Sequence, residues 1–391
     1  MADPAVHIAT SRFAPHGGGL ERWTGELATA LGDRGLRPVV YACEDPVDPR
    51  QHRGRPFEIV DVASLRAPWE APLHAAGLER RLFEQERSRL SFACLRTELG
   101  KRLGAGPAVV LSTFATTVGF TAHLVTEALG LPHVPLLAGT DFTRGFRNKI
   151  DRLALLEVCR AARVVVGKST EQVRELRRHL PGTAFEVIET SVEPPGRRRH
   201  RPAGPGIGIF SDGGFSFKKG TGVLLDAFAA LRAGGVDARL TVCGTDQGGQ
   251  EDYWAARRRR AEQEAGPTVC FPGPLDRAQI VDRLRASDIY ASATLGEGSS
   301  AARALALCLG VPMVTTRCGE LADEAPPGHL RLVPVADAPG FHEALRTLAG
   351  DLLGGRLRID DTAVDGFRRR FAPDREWAAW AGLLRKVAAD G

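Results

Sequence analysis

Two series of short apolar runs, each run followed by a stretch of helical periodicity, fill this chain, and a segment that no core could hold separates them. In the first series the candidate strands are Val6–Thr10, Val39–Ala42, Phe57–Val60, Ala108–Ser112, His133–Leu137, Arg163–Val166 and Phe185–Ile188. Between them Leu20, Trp23, Leu27 and Leu31 recur at helical spacing, as do apolar positions across Leu78–Leu103. The break comes at Pro194–Gly206, where three prolines flank a run of arginines and two glycines follow, the composition of a linker. The pattern then restarts, with strands expected at Ile207–Phe210, Arg239–Cys243, Thr268–Phe271, Ile289–Ser292, Pro312–Thr315 and Leu330–Pro334. Helices are expected at Thr221–Arg232, Asp252–Ala265, Asp276–Ala286 and Ala301–Leu309. A parallel connection has to cross the face of its sheet, and a helix does this compactly, so strand–helix alternation means parallel sheets. The expectation is an α/β protein of two Rossmann-like domains facing each other across a cleft: residues 1–193, a linker at 194–206, and residues 207–372. Ligands of such sheets bind at the carboxyl ends of the strands, which makes the cleft the default site.

Composition narrows the class. The 391 residues suit two domains rather than one core, and 43% hydrophobic with 25% charged residues is globular. A net charge of +5 is modest at this length, and the runs Arg197–Arg201, Arg257–Arg260 and Arg368–Arg370 read as solvated faces or linker, so no nucleic-acid partner is expected. No stretch of about 18 apolar residues occurs, and no basic start leads into an apolar signal core, so a cytoplasmic protein is expected. The seven cysteines are scattered without a Cys-x-x-Cys or His/Cys cluster, which reads as reduced core thiols and no metal. Richness in Ala, Gly and Arg suggests a bacterial gene of high GC content.

Three loops carry candidate chemistry. Gly296-Glu297-Gly298-Ser299-Ser300-Ala301 is a turn of small residues that opens straight into an apolar helix. The first turn of a helix has unpaired N–H groups and a partial positive end, and small side chains let a phosphate come close. Glu297 cannot bind that phosphate and suits a polyhydroxylated partner such as a sugar. After the first strand of the second domain, Asp212-Gly213-Gly214 leads to Lys218-Lys219-Gly220. This lysine pair lies at a strand end where a diphosphate needs countercharge, although both can equally solvate a helix start. In the first domain Pro15-His16-Gly17-Gly18-Gly19 precedes a helix, matching neither the dinucleotide fingerprint nor the P-loop, and reads as a tight turn or a ligand contact.

In this order and spacing the motifs resemble a retaining glycosyltransferase of the GT-B fold, family 4, over nearly the whole chain. The Gly18-Gly19 loop is similar to the family's first-domain loop, and Lys219-Gly220 to the Lys-Gly that pairs with the donor diphosphate. Phe271-Pro272-Gly273-Pro274-Leu275 resembles the loop touching the base, and Ser292–Glu297, Gly310–Val314 and Gly319-Glu320 follow the family pattern. The helix with Trp377 and Trp380, within 373–391, looks like the one that crosses back to the first domain. Three departures stand out. The family's arginine between the first strand of the second domain and Lys-Gly is missing, with Ser211, Asp212 and Gly214 in that region. The family's second glutamate falls on Leu305, which cannot hydrogen-bond a ribose, and its first-domain histidine is replaced in Ala138-Gly139-Thr140-Asp141, leaving Asp141 as the polar group.

The resemblance implies transfer of a sugar from a nucleoside diphosphate, a UDP-sugar being the expected donor, with retention and without a metal or other cofactor. Lys219, Glu297 and Asp141 are the implied catalytic residues. Donor binding falls to Gly18, Gly19, Gly214, Lys218, Lys219, Gly273, Pro274, Glu297, Gly298, Ser299, Ser300, Ala301 and position Leu305, and acceptor binding to His16, Asp141 and Arg144. Asp141 can instead be a turn residue that caps the next segment, and His16 is a weaker choice of base than of ligand contact. The acceptor is expected to be a small molecule, such as an aminocyclitol or aminoglycoside, met by loops Trp69–Leu78 and Asp141–Asn148. Other readings are a non-catalytic partner protein, suggested by Leu305, and a membrane-associated enzyme of glycolipid or polysaccharide synthesis. The basic helix Leu78–Leu103 motivates the last, but Glu79, Glu84, Glu86 and Glu98 nearly neutralise it, so membrane docking is not expected.

Overall fold

The computed structural model describes residues 3–14, 18–65, 78–139, 141, 149–193, 196, 206–246 and 250–391, with the backbone alone for 78–87. The chain divides into two compact units, one of residues 1–188 with 376–391 and one of residues 189–375. Of the expected linker, only Gly196 and Gly206 are among the described residues.

The first unit is built on seven strands: β1 Ala5–Thr10, β2 Arg37–Ala42, β3 Glu58–Asp61, β4 Ala108–Ser112, β5 His133–Leu137, β6 Val165–Gly167 and β7 Phe185–Val187. They lie side by side in the order β3-β2-β1-β4-β5-β6-β7, each pair parallel. All six residues of β1 are buried, as a central strand covered on both faces requires. The helix Gly19–Gly32 turns Trp23, Leu27 and Leu31 into the core against Val6, Ile8 and Val40.

The last helix, Pro373–Ala389, contributes Trp380 and Leu384 to this same core, so the chain's end belongs to the first unit. Its attachment is polar as well as apolar. Lys168 Nζ lies 2.8 Å from Glu376 Oε1, Trp23 Nε1 donates to the same oxygen at 2.8 Å, and the ammonium sits 4.2 Å from the Trp23 ring centre. Burial lowers the Lys168 pKa from its usual range, with Glu376 opposing that shift.

The second unit holds β8 Ile207–Ser211, β9 Ala238–Val242, β10 Val269–Cys270, β11 Ile289–Ser292, β12 Met313–Thr316 and β13 Leu330–Val333, in the order β10-β9-β8-β11-β12-β13. All pairs are parallel. The expected four-residue strand at 268–271 shrinks to two residues, because Pro267 before it and Pro272 after it cannot donate to a ladder. Two helices come in addition to those expected, Ala338–Leu353 and Asp361–Arg370. Asp337 caps the first through Gly340 N at 2.9 Å, and its buried Phe341, Leu345 and Leu348 have helical spacing.

In both sheets the strand order runs outward in one direction from the first strand and in the other from the fourth. The chain therefore leaves β1 and β4, and likewise β8 and β11, toward opposite faces, which opens a crevice beyond their carboxyl ends. In the second unit that places the loops after Ser211 and Ser292 side by side.

Five of the cysteines are buried, as expected of core thiols; Cys94 is half-buried, and Cys270 departs from the expectation by being exposed in a strand too short to cover it. Among the described residues no helix is long and apolar enough to cross a membrane.

Candidate functional site

The crevice of the second unit is assembled by glycines that let three loops touch. Gly220 has φ +65°, and a Cβ there would lie 1.9 Å from the Ala293 carbonyl oxygen, so only glycine lets the β8 loop press on the end of β11. At Gly244 a Cβ would come within 2.6 Å of Gly214 Cα, and Gly244 N donates to the Gly273 carbonyl at 2.8 Å. The loop after β10, which carries Gly273 and Pro274, is thus tied beside Gly214. Leu295 N donates to the Lys218 carbonyl at 2.7 Å, and Thr221 Oγ1 to the Gly214 carbonyl at 2.7 Å.

These ties bring the charged residues together. The Lys219 ammonium is hydrogen-bonded to Glu297 Oε1 as a direct ion pair, with 25% of the lysine side chain and 11% of the glutamate side chain exposed. Burial works against both charges. Glu297 and Asp212 outweigh it for Lys219, whose pKa is raised, and Lys219 and Lys218 outweigh it for Glu297, whose pKa is lowered. Both groups therefore stay ionised through neutral pH. Asp212 is held from behind by Tyr290, whose hydroxyl donates to its Oδ1 at 2.6 Å.

The helix Ala301–Leu309 begins four residues after Glu297, and the charge of Arg303 in its first turn is felt by both members of the pair. Ser300 caps it, its hydroxyl accepting from Arg303 N at 3.3 Å, while Glu320 Oε1 accepts from Ser300 N at 3.2 Å. Arg303 reaches Glu320 with two bonds, Nε to Oε1 at 2.9 Å and Nη2 to Oε2 at 2.7 Å, and both side chains are wholly buried. The Ser299 hydroxyl is buried without a hydrogen-bond partner among the described residues. Two lysines, a carboxylate, small residues and a helix start converge here, an arrangement able to hold an anion next to a hydroxyl-bearing group.

Gly214, Lys218, Lys219, Gly273, Pro274 and Glu297–Ala301 are therefore gathered at one sheet edge. Leu305 is not on that surface: it is 3% exposed and packed among Phe210, Leu284, Leu307 and Leu309 in the core, which corrects its place in the donor set. Asp141 belongs to the first unit and is wholly buried. Its carboxylate accepts from Ala115 N at 3.1 Å, Thr116 N at 2.9 Å, Ala138 N at 2.9 Å and the Thr116 hydroxyl. Burial raises its pKa, and those four bonds oppose the rise. A carboxylate so enclosed ties Ala138 to residues 115–116 and presents no oxygen to an acceptor, which corrects the expectation of a catalytic and acceptor contact; its bonds run to 115, 116 and 138 and not to a segment after it. Gly18 and Gly19 precede and open the helix Gly19–Gly32, with Gly18 extended and both exposed. His16, Arg144 and most of the expected acceptor loops, Trp69–Leu78 and Asp141–Asn148, lie outside the described residues. Among the described residues no group of three or more His, Cys, Asp or Glu is placed to hold a metal ion.

Sequence reasoning missed Arg303 and Tyr290. The first had a signal: one charge inside the otherwise apolar run Ala301–Leu309 has to find a buried partner.

Residues 207–351 match the family model described as glycosyl transferases group 1. No curated protein sequence matches the chain. Among solved structures, the chain is similar to a sucrose-phosphate synthase from Thermosynechococcus elongatus, with TM-score 0.78 and 16% identity over 100% of both chains. It is also similar to HepE from Anabaena, solved in complex with UDP and glucose, with TM-score 0.72 and 15% identity over 98% of this chain and 99% of that one. A third is a glycosyltransferase from Rickettsia africae, with TM-score 0.69 and 13% identity over 100% of both chains. At these identities the likeness is one of fold, and the α/β architecture of this chain is that of GT-B glycosyltransferases along its full length.

Proposed function

We propose that the protein is a retaining family 4 glycosyltransferase that moves a sugar from a nucleoside diphosphate sugar, a UDP-sugar, to a hydroxyl of a small acceptor. The observation that carries the reading is the Lys219–Glu297 pair at the crevice of the second unit, beside the start of the helix Ala301–Leu309. The family-model match covers this segment, and the HepE structure, with UDP and glucose bound, supports the choice of uridine.

In this reading the diphosphate lies on the free N–H groups of the helix start with Lys219 against its oxygens, and Glu297 accepts hydrogen bonds from hydroxyls of the sugar. As the bond from the anomeric carbon to the phosphate oxygen breaks, negative charge grows on the diphosphate. The fixed ammonium and amide dipoles are already oriented to receive it. The acceptor oxygen forms the new bond to the anomeric carbon on the face the leaving group quits, and its proton passes to the departing phosphate oxygen. No separate protein base is needed, and Lys219 with the helix start supplies the countercharge that a divalent ion gives elsewhere.

The test is a thermal-shift screen against UDP, GDP, ADP, dTDP and their sugar conjugates. A ligand at 100 times its Kd stabilises by about 2.7 kcal/mol. A selective response to UDP and one UDP-sugar is the expected result. A flat response to every nucleotide rejects the reading in favour of a non-catalytic partner protein, for which the apolar Leu305 is the supporting observation. With the donor known, turnover with aminocyclitol and aminoglycoside acceptors decides the acceptor class.

A further inference from the structure

We propose that Arg303 is a positioning residue for the anion-binding turn, and that its ion pair with Glu320 keeps the start of the helix Ala301–Leu309 receptive to a diphosphate. The inference rests on the nucleotide reading above and assigns a role to two residues whose side chains are wholly buried.

The pair is an expensive thing to bury. Both side chains are at 0% exposure, and well-packed apolar residues commonly hold such a place as stably as a buried ion pair does. Its location supplies a reason for it. Glu320 sets a carboxylate oxygen 3.2 Å from Ser300 N, at the very helix end that is to receive an anion. Left bare, that charge repels a phosphate and uses up part of the field of the helix. Arg303, from the third residue of the same helix, covers both carboxylate oxygens and cancels it.

The same arginine also sets geometry. Its Nη2 donates to the Cys318 carbonyl at 3.2 Å, anchoring the loop that follows β12. The next residue, Gly319, has φ +63° and packs so closely on the turn that a Cβ would lie 2.7 Å from the Glu297 carbonyl oxygen and 3.1 Å from that of Gly298. Arg303 thus holds the backbone against which the Glu297–Gly298 segment rests, and with it the aim of Glu297 at Lys219. Charge alternates along the row Asp212, Lys219, Glu297, Arg303, Glu320, so a change at its far end is felt at the lysine.

A purely structural pair and a pair that tunes anion binding differ in sign. Arg303→Met leaves the Glu320 carboxylate uncovered, whereas Glu320→Gln keeps an oxygen for Ser300 N and leaves an uncompensated cation. UDP and inorganic pyrophosphate affinities are measured by calorimetry on both variants and on the double variant Arg303→Met/Glu320→Met, with melting temperatures recorded alongside. The expected result is at least tenfold weaker binding of both probes in Arg303→Met, and binding equal to or tighter than wild type in Glu320→Gln although its melting temperature falls. The double variant, neutral at the helix start, falls between the wild type and Arg303→Met. If Arg303→Met does not fold, the other two proteins decide. Weaker binding in Glu320→Gln, in proportion to its lost stability, overturns the inference, as does unchanged binding in Arg303→Met. A wild-type protein that binds neither probe rejects the nucleotide reading itself.

Discussion

Replacing Glu297 with glutamine separates the two halves of the proposed site. Lys219 has two claimants, the Glu297 carboxylate it is paired with and the diphosphate it is proposed to meet. Two unit charges about 4 Å apart attract by about 4 kcal/mol at an effective dielectric of about 20. Most of this is offset by desolvation at a site where the two side chains are 25% and 11% exposed, so a charge-assisted bond contributes about 1.5–3 kcal/mol net. Glutamine of the same shape keeps a neutral oxygen for the ammonium and removes the competing charge. If about 1 kcal/mol of that competition is relieved, UDP binds about fivefold more tightly. Sugar transfer behaves oppositely, because a neutral amide oxygen accepts from the sugar hydroxyls more weakly than a carboxylate does, and kcat/KM with the UDP-sugar falls about a hundredfold, near 2.7 kcal/mol of transition-state stabilisation. The ion pair also holds the fold, so the melting temperature drops by about 2–4 °C for each kcal/mol lost. Calorimetric titration with UDP, paired with steady-state transfer kinetics, reads both effects. A tenfold loss of UDP affinity at retained folding refutes the argument, since it makes Glu297 a nucleotide ligand and not a rival for the lysine.

Three further outcomes follow from the geometry. Gly220→Ala puts a methyl group onto the Ala293 carbonyl at a positive φ and is expected to destabilise by about 2–4 kcal/mol; a denaturation midpoint within error of wild type refutes the close approach. Glu376→Ala strands the buried Lys168 ammonium and the Trp23 indole N–H, costing about 3–5 kcal/mol, and a loss under about 1 kcal/mol in urea unfolding shows that the last helix is held by its apolar face alone. Burial lowers the pKa of His7 to about 4 and of His133 to about 3. The unfolded chain then binds more protons than the folded one below about pH 6.5, so stability declines as pH falls through the window from 6.5 to those values. Between pH 7.5 and 5.5 the two histidines together remove about 2–3 kcal/mol, and a flat unfolding free energy over that range contradicts their burial as neutral rings.

The parts of the site legible in the chain were those made by backbone chemistry. Gly296–Gly310 and Asp212–Gly220 announced themselves because a close loop contact and a helix start demand particular residue types at fixed neighbours, and Lys219 and Glu297 came with them. Asp141 was misjudged for a related reason: a polar residue at a strand end reads the same whether its carboxylate faces a ligand or the amides of residues 115, 116 and 138, which lie 26, 25 and 3 residues away in the chain. Leu305 shows the converse, since a helix position named by motif spacing turned out to face the core.

From its residues alone this chain determined its alternation of strand and helix, the break at 194–206 and the loops rich in glycine, because hydrophobic period and φ preference act within a few neighbours. Tertiary structure alone decided which side chains meet. Lys219 pairs with Glu297 across 78 positions, Arg303 with Glu320 across 17, and Lys168 with Glu376 across 208. The physical reason is that the cost of burying a charge is met by whichever partner the packed sheets bring within reach, and no local period encodes that distance.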